Sequence, residues 1–404
     1  MTLFILMLIM NTDGAITLHH QNIYEVAAKA FEQGSGRSYA IQASGLQDAV
    51  QLVPGRFREL SLGAMPEINT SQGDRGEFLV NLDATMSLAD IPRLERDILS
   101  SEAMAAARLG LSEKLKFTSD VFNFYADALE AKLLLEHIRE LHQQAVSLEQ
   151  NLERQAERQL VSRADLLAQR VLTGHYANEI REMEMAFHSA KIKLEGLLGD
   201  SVTLEFPDEI SLNDLEDNPF GPLSERIAMF PDLLLLDAKA DNARRQAALT
   251  EAINAPKLGP GLQYRDEDGG NSWLGLGVKV SFSLRPRRDA AWRKHSAEAE
   301  SLEARQNWMA NTLKADLERR TGLYEQNKEL AAAYFTEILE PLHHQVEIYE
   351  KAVSAGHMER RFLLQAQTEF HEAEHNYLLL VHRLWTESVE ARILNQITAQ
   401  GAPK

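Results

Sequence analysis

Two segments of the chain alternate strictly between apolar and polar or small residues. Side chains in a β-strand point alternately to opposite faces, so each segment predicts a strand with one apolar face. The second segment begins at Leu274, 196 positions after the first begins at Phe78, which indicates an internal repeat. The apolar positions are Phe78, Val80, Leu82, Ala84, Met86 and Leu88, and then Leu274, Leu276, Val278, Val280, Phe282 and Leu284.

A polar turn and a shorter alternating run precede each of these strands. Residues 69–76 and 266–271 are rich in Asn, Asp, Ser and Gly, the residues typical of turns. The pattern therefore predicts two β-hairpins, at about 56–90 and 256–285. Proline belongs at strand edges or ends, so Pro66 and Pro260 in the first strands favour hairpins shorter than these bounds.

A stretch of more than one hundred residues with almost no proline follows each hairpin. Leu, Ala, Glu, Gln, Arg and Lys dominate there, which predicts long helices. We expect antiparallel helical hairpins at about 92–198 and 288–398, with a break near 155–165 and a kink at Pro341. An arm of about 60 residues is about 90 Å long.

The last arm carries a heptad-type apolar seam, which indicates packing against a neighbouring helix. The seam consists of Leu363, Ala366, Phe370, Ala373, Tyr377, Leu380 and Leu384.

These elements divide the chain into two repeats. Weaker helical patterns around 17–50 and 233–251 open the repeats. We predict a signal or its remnant at 1–15, repeat 1 at 16–199, a linker or equatorial segment at 200–225, and repeat 2 at 226–400. The apolar run 3–10 has the length of a signal core but no preceding basic residue, so a buried segment is the alternative.

The amino-acid composition argues against several classes of function. The formal charge is −18, which argues against a nucleic-acid partner, because such proteins present basic surfaces. The chain has no cysteine, which excludes disulfides, thiolate metal sites and cysteine nucleophiles and suits an oxidising compartment such as the periplasm. No segment has the 18–20 consecutive apolar residues typical of a membrane-spanning helix.

The hairpin strands have about the length that crosses a bilayer when tilted. Four strands cannot close a barrel, and open edges in lipid would leave backbone groups unsatisfied. A closed oligomeric barrel, to which each subunit lends four strands, satisfies these constraints. A soluble sheet packed on a helix is equally compatible with the alternation.

The ordered pattern, present twice, resembles the TolC-like outer-membrane efflux family over roughly residues 17–398. Four segments carry the resemblance. They are the repeat-opening helix from Phe230 to Leu258, the return strand and basic exit Trp273–Arg288, the helix-turn tip Ser162–Gln169, and a second tip, Ala355–Gln367, at an offset of 197. The short linker and simple hairpins are similar to the heavy-metal branch, which works with pumps of the RND type.

The resemblance implies a mainly α fold with a small β part. Long antiparallel coiled-coil hairpins and two β-hairpins per chain would form a homotrimer with a twelve-stranded barrel in the outer membrane and an α-helical tunnel in the periplasm. The implied partners are a periplasmic adaptor, an inner-membrane pump and outer-membrane lipid. The chain would be a passive export channel without catalytic, cofactor-binding or metal-binding residues.

The resemblance also suggests site residues. The adaptor-docking tips comprise Leu160, Val161, Ser162, Asp165, Gly356, His357 and Arg360. The lipid-facing strand positions comprise Phe78, Val80, Leu82, Met86, Leu274, Leu276, Val278, Val280 and Phe282. Family members often carry an acidic residue where this chain has Phe362 or Gln365, so Asp165 is the tip carboxylate expected here.

One motif favours a different function. His371-Glu372-Ala373-Glu374-His375 fits H-E-x-x-H, in which two imidazoles one turn apart bind zinc and the intervening glutamate acts as a base. A third ligand could come from His382, Glu387 or Glu390. The motif lies inside the heptad seam and the chain has 13 histidines, so we interpret it as a solvated helix face. A zinc metallopeptidase, a tunnel-facing metal contact and a soluble periplasmic coiled-coil scaffold remain as alternatives.

Overall fold

The computed structural model describes most of the chain as helices, with six strands. It describes residues 16–53, 57–68, 76–87, 90–158, 161–199, 201–207, 210, 212, 215–253, 255, 257–267, 271–281 and 287–400. The predicted signal segment 1–15 lies outside these ranges. Strands β2 and β3, defined below, are described by their backbone.

The elements follow the order that the repeats predict. The first repeat contains β1 (Ile16–Leu18), α1 (Ile23–Gln33), α2 (Gly36–Leu52), β2 (Phe57–Ile68), β3 (Gly76–Ser87), α3 (Ile91–Glu157) and α4 (Arg163–Leu198). The remainder contains β4 (Val202–Leu204), α5 (Gly221–Glu225), a 3₁₀ turn (Ile227–Met229), α6 (Pro231–Ile253), β5 (Lys257–Glu267), β6 (Asn271–Ser281), α7 (Arg287–Tyr334), a π-helical turn (Phe335–Leu339), α8 (Glu340–Ser354) and α9 (Arg360–Gln400).

The chain divides into two compact units, and α3 and α7 contribute residues to both. The helical unit comprises the described residues up to Gly34, Glu113–Ile227, and those from Leu313 onwards. The sheet unit comprises Ser35–Ser112 and Ala228–Thr312. No helix among the described residues is both long enough and apolar enough to cross a membrane.

An open four-stranded antiparallel sheet lies in the sheet unit. Its strand order is β2-β3-β5-β6, so the two hairpins join through β3 and β5. The strands span 12, 12, 11 and 11 residues, and Pro66 and Pro260 lie within β2 and β5 rather than at their ends. Pro66 pairs with Phe78, and β2 is an edge strand, where proline is tolerated.

Pro260 lies within β5, where the series of residue pairs between β3 and β5 is interrupted. The ladder to β6 passes through Pro260 paired with Val278. The ladder to β3 pairs Asp83 with Gly261 and then resumes only at Met86 with Leu258. Because proline has no N–H, it donates no hydrogen bond to either neighbouring strand, and the interrupted ladder is the one to β3.

The sheet unit also contains α2, α6, the first part of α3 and the first part of α7. Ser112 on α3 donates a hydrogen bond to Asp232 on α6, and Arg244 on α6 donates to Glu303 on α7 at 2.8 Å. At Gly110 an added Cβ would lie 3.1 Å from Cβ of Tyr39, so glycine permits the close approach of α2 to α3.

The helical unit consists of antiparallel helix pairs. Gln169 on α4 donates a buried hydrogen bond to the carbonyl of Ala145 on α3. Phe335, at the start of the π-helical turn, packs on Tyr377 of α9 with ring centroids 5.6 Å apart. The predicted seam of α9 is buried at Ala366, Ala373 and Leu384, and its other four positions are half-buried.

The segment predicted as a linker contains a short strand and several buried apolar residues. Its strand β4 pairs in parallel with β1, which the sequence analysis missed. Phe220 and Leu223 are fully buried, and Leu215 is nearly so. The alternation of Val202, Leu204 and Phe206 was the available signal for the strand.

The irregularity predicted at Pro341 takes the form of a π-helical turn one turn earlier. The N–H of Glu340 donates to the carbonyl of Phe335, an i→i−5 bond. A proline clashes with the carbonyl four residues before it, and the wider turn relieves that contact. The hydroxyl of Thr336 donates to the carbonyls of Ala332 and Ala333, which supports the turn.

Candidate functional site: the sheet face, the helix tips and a histidine cluster

The sheet carries an exposed apolar face on the second hairpin. Leu274, Leu276, Val278 and Val280 on β6 are 65%, 86%, 71% and 47% exposed. Three residues of β5 that pair with them are also exposed, namely Leu258, Leu262 and Tyr264. Large apolar side chains in contiguous positions on one face indicate a surface that meets an apolar partner.

The pairing of β5 with β3 continues the apolar face into the first hairpin. Val80 pairs with Tyr264 and Leu82 pairs with Leu262. Directly paired residues of antiparallel strands lie on the same face. The side chains of Phe78, Val80, Leu82 and Met86, and residue Phe282, lie outside the described part of the structure, so their contact with lipid stays a prediction.

The first helix tip begins α4 with a side-chain cap. Ser162 is the N-cap residue, and its hydroxyl oxygen accepts a hydrogen bond from the N–H of Asp165 at 3.1 Å. The same hydroxyl donates to the Asp165 carboxylate at 2.6 Å. Asp165 is exposed in the first turn, where the helix dipole favours negative charge. Val161 is half-buried, and Leu160 lies outside the described residues.

The second tip ends α8 in a Schellman motif. Gly356 adopts a left-handed φ of 76°, its N–H donates to the carbonyl of Val353, and the N–H of His357 donates to that of Ala352. His357 is exposed, and Arg360 begins α9. Adaptor docking at either tip stays a prediction.

The two tips correspond residue by residue. Helices α3 and α8 end at Glu157 and Ser354, and α4 and α9 begin at Arg163 and Arg360. Both pairs differ by 197 positions, the offset at which the sequences of the tips align. The internal repeat therefore extends to the helix ends.

The H-E-x-x-H segment lies on α9, with its histidines toward α3 and its first glutamate away from it. His371 and His375 have ring centroids 5.9 Å and 6.4 Å from that of His137 on α3. Glu372 is exposed. The carboxylate that joins the cluster is Glu374, whose Oε2 lies 3.5 Å from Nδ1 of both His137 and His371.

The candidate third ligands named from sequence have other partners. His382 lies 3.3 Å from Glu130 through Nδ1 and donates through Nε2 to the carbonyl of Ala126. Glu390 pairs with Arg320. The third residue of the cluster is His137, which sequence reasoning missed, because only the pairing of α3 with α9 brings it to the motif.

Burial sets the ionisation of this cluster. His137 is 8% exposed, and burial lowers its pKa, which favours the neutral imidazole. The neighbouring imidazole of His371, 3.5 Å away, lowers the pKa of Glu374, which favours the carboxylate. A zinc metallopeptidase needs the glutamate of the H-E-x-x-H motif beside the metal. Glu372 is instead exposed on another side of α9, which argues against the metallopeptidase.

Comparison with known proteins shows which solved structures have a similar fold. No protein-family profile matches the sequence, and no curated protein matches it. Among solved structures, the outer membrane protein VceC from Vibrio cholerae is 13% identical, with a TM-score of 0.69 over 93% of this chain and 96% of its own. A membrane protein from Pseudomonas aeruginosa has a TM-score of 0.71 at 13% identity, over 93% of this chain and 90% of its own. The Campylobacter jejuni CmeC outer membrane channel has a TM-score of 0.68 at 12% identity, over 94% and 86%.

At such identities the similarity concerns the fold. The mainly helical fold with a small β part, implied by the resemblance to TolC-like outer-membrane channels, is confirmed. The trimeric barrel stays a prediction, since the sheet of the single chain is open.

Proposed function

We propose that this chain, which has the fold of outer-membrane channels, is the outer-membrane component of a tripartite efflux or export system. It would act as a passive trimeric duct that extends from the bacterial outer membrane into the periplasm. A periplasmic adaptor would couple it to an inner-membrane pump of the RND type. The chain would perform no chemical reaction.

The observation that carries this proposal is the exposed apolar face on an open sheet. Leu276 is 86% exposed. The large apolar residues of β6 alternate with smaller ones, such as Gly275 and Gly277 on either side of Leu276. Lipid is the partner that suits such a face, provided that the edges β2 and β6 pair with those of other subunits. Three subunits of four strands would supply the twelve strands of one barrel.

A charge placed on each face of β6 tests the proposal. Leu276→Asp places a carboxylate on the apolar face, whereas Gly277→Asp places it on the opposite face, where an added Cβ meets nothing within 4 Å. We expect Leu276→Asp to reduce the heat-resistant trimer in the outer-membrane fraction and Gly277→Asp to leave it nearly unchanged. Charged residues on the lipid face of a barrel destabilise according to their depth, by up to about 2–4 kcal/mol for Arg or Lys at the midplane and less for Asp.

Membrane fractionation and native mass spectrometry in detergent provide the measurement. A wild-type trimer in the outer membrane supports the channel. A water-soluble monomer, or equal behaviour of the two variants, would instead favour the soluble coiled-coil scaffold.

A further inference from the structure

The cluster of His137, His371 and Glu374 has no role in a passive duct. It lies within the helical unit, between α3 and α9. Its potential ligand atoms, one from each residue, all lie within 4.8 Å of one another. Among the described residues it is the group of histidine and acidic side chains that meets this spacing.

The distances approach those of a metal site. With metal–ligand bonds of about 2.0–2.1 Å, two ligands at tetrahedral angles are about 3.3 Å apart. The separations of Glu374 Oε2 from Nδ1 of His137 and from Nδ1 of His371 are both 3.5 Å. The third separation, between the two imidazoles, is no more than 4.8 Å, so side-chain adjustment is needed mainly there to place three ligands around one ion.

A second observation concerns the hydrogen bonding of His137. Its side chain is more than nine-tenths buried, and its Nε2 makes no hydrogen bond within the part of the chain that the structure describes. A buried polar nitrogen without a partner is costly. Nδ1 of His371, which lies 3.5 Å from the Glu374 carboxylate, is likewise a buried atom without a hydrogen bond among the described residues, and coordination of an ion would satisfy it.

The nearby pair His382–Glu130 lacks this feature. Both ring nitrogens of His382 have partners, one in the Glu130 carboxylate and one in the carbonyl of Ala126. That pair is complete without a ligand, whereas the His137 cluster is not.

An ion can reach the cluster. A groove of about 730 Å³ between α3, α4 and α9 has His371 in its wall, together with polar residues such as Gln169 and Gln367. His375, one turn after His371, has its ring centroid 6.4 Å from that of His137 and is not one of the three residues that meet the spacing of the cluster.

We propose that His137, His371 and Glu374 bind a divalent transition-metal ion of the zinc class, which ties α3 to α9. Two imidazoles and one carboxylate form a ligand set typical of Zn²⁺. Glu372 is exposed and does not belong to the cluster, so the proposed ion would join the two helices without the base that an H-E-x-x-H peptidase uses. The inference departs from the sequence-based expectation of no metal, and it is independent of the proposed channel function.

The test uses the full chain in detergent, without a polyhistidine tag and stripped of metal by chelation. Titration with Zn²⁺ followed by calorimetry gives the stoichiometry and Kd, and Co²⁺ absorption reports tetrahedral His/carboxylate ligation. We expect one ion per chain and a Zn²⁺-dependent rise in the melting temperature.

Variants assign the site. His137→Ala and Glu374→Gln should each weaken binding by more than the about 10–100-fold that loss of a supporting residue costs a metal site. The matched control is His175→Ala, which removes an exposed histidine paired with Glu179 at 3.1 Å on α4, and it should bind as the wild type does. Glu374→Gln preserves side-chain shape and covers the case in which His137→Ala does not fold.

Three outcomes would overturn the proposal. The first is no stoichiometric Zn²⁺ binding by the wild type. The second is unchanged binding by Glu374→Gln. The third is equal loss in His175→Ala, which would assign the binding to scattered surface histidines.

Discussion

Two buried tyrosines attach the segment between the repeats to the helices of the helical unit. The hydroxyl of Tyr125 on α3 donates to the carbonyl of Glu205 at 2.6 Å, and that of Tyr324 on α7 donates to the carbonyl of Glu216 at 2.9 Å. Both rings are fully buried. Burial raises the pKa of each tyrosine, so both hydroxyls remain donors at neutral pH.

Removal of either hydroxyl should destabilise the helical unit. We expect Tyr125→Phe and Tyr324→Phe each to lower the free energy of unfolding by about 1 kcal/mol, the net value of one such hydrogen bond. Differential scanning calorimetry in detergent measures the change. Tyr349→Phe is the control, because the hydroxyl of Tyr349 makes no hydrogen bond among the described residues.

Sequence reasoning could not find these residues. A tyrosine on a helix shows nothing of its partner, and the partners here are backbone carbonyls 80 and 108 positions away. The same limit applied to His137. Ser162 and Asp165 were named through the resemblance of the tip to a known family, and the helix cap that joins them is local in sequence.

At the scale of elements, periodicity was an adequate guide. The alternation of β3 and β6 and the proline-free stretches predicted strands and helices that the structure contains. Two features escaped it. The β1–β4 pair has only three residues per strand, and Pro260 is tolerated within β5 because one of its two ladders is interrupted.

The two helix tips use different chemistry, and this leads to a prediction at Gly356. A residue with a Cβ is disfavoured at a φ of 76°, so Gly356→Ala should destabilise the tip by about 1 kcal/mol. Gly174→Ala is the matched control, because Gly174 lies exposed within α4, where alanine is favoured by up to about 1 kcal/mol.

Hydrogen exchange at the end of α8 and thermal unfolding measure the two effects. The variants should change stability in opposite directions. A stabilised Gly356→Ala variant would contradict the Schellman geometry.

At the scale of the whole molecule, the tips should matter for coupling rather than folding. Asp165 is exposed and its charge faces solvent at the start of α4. We expect Asp165→Arg to impair export in a drug or metal susceptibility assay while the trimer persists, with a helix-dipole cost of about 0.3–1 kcal/mol.

Glu182→Arg is the control for this variant. Glu182 is exposed farther along the same helix, so the change in net charge is equal but its place is not at the tip. Normal export by Asp165→Arg, or equal impairment by both variants, would count against adaptor docking at this tip.

The sequence predicted less about the assembly than about the chain. An apolar strand face indicates an apolar neighbour, but one chain holds only four of the strands that a closed barrel needs. The number of subunits followed from a resemblance and not from the residues themselves.

The open sheet has a consequence for the life of the newly made protein. If the proposed barrel forms, a single subunit before assembly would present β2 and β6 as two unpaired edges beside an apolar face, a combination that promotes edge-to-edge aggregation. We expect such a subunit in transit to need holdase chaperones and to be exposed to quality-control proteases. The rate at which subunits meet, as much as the stability of the assembled protein, would then set how much of it a cell accumulates.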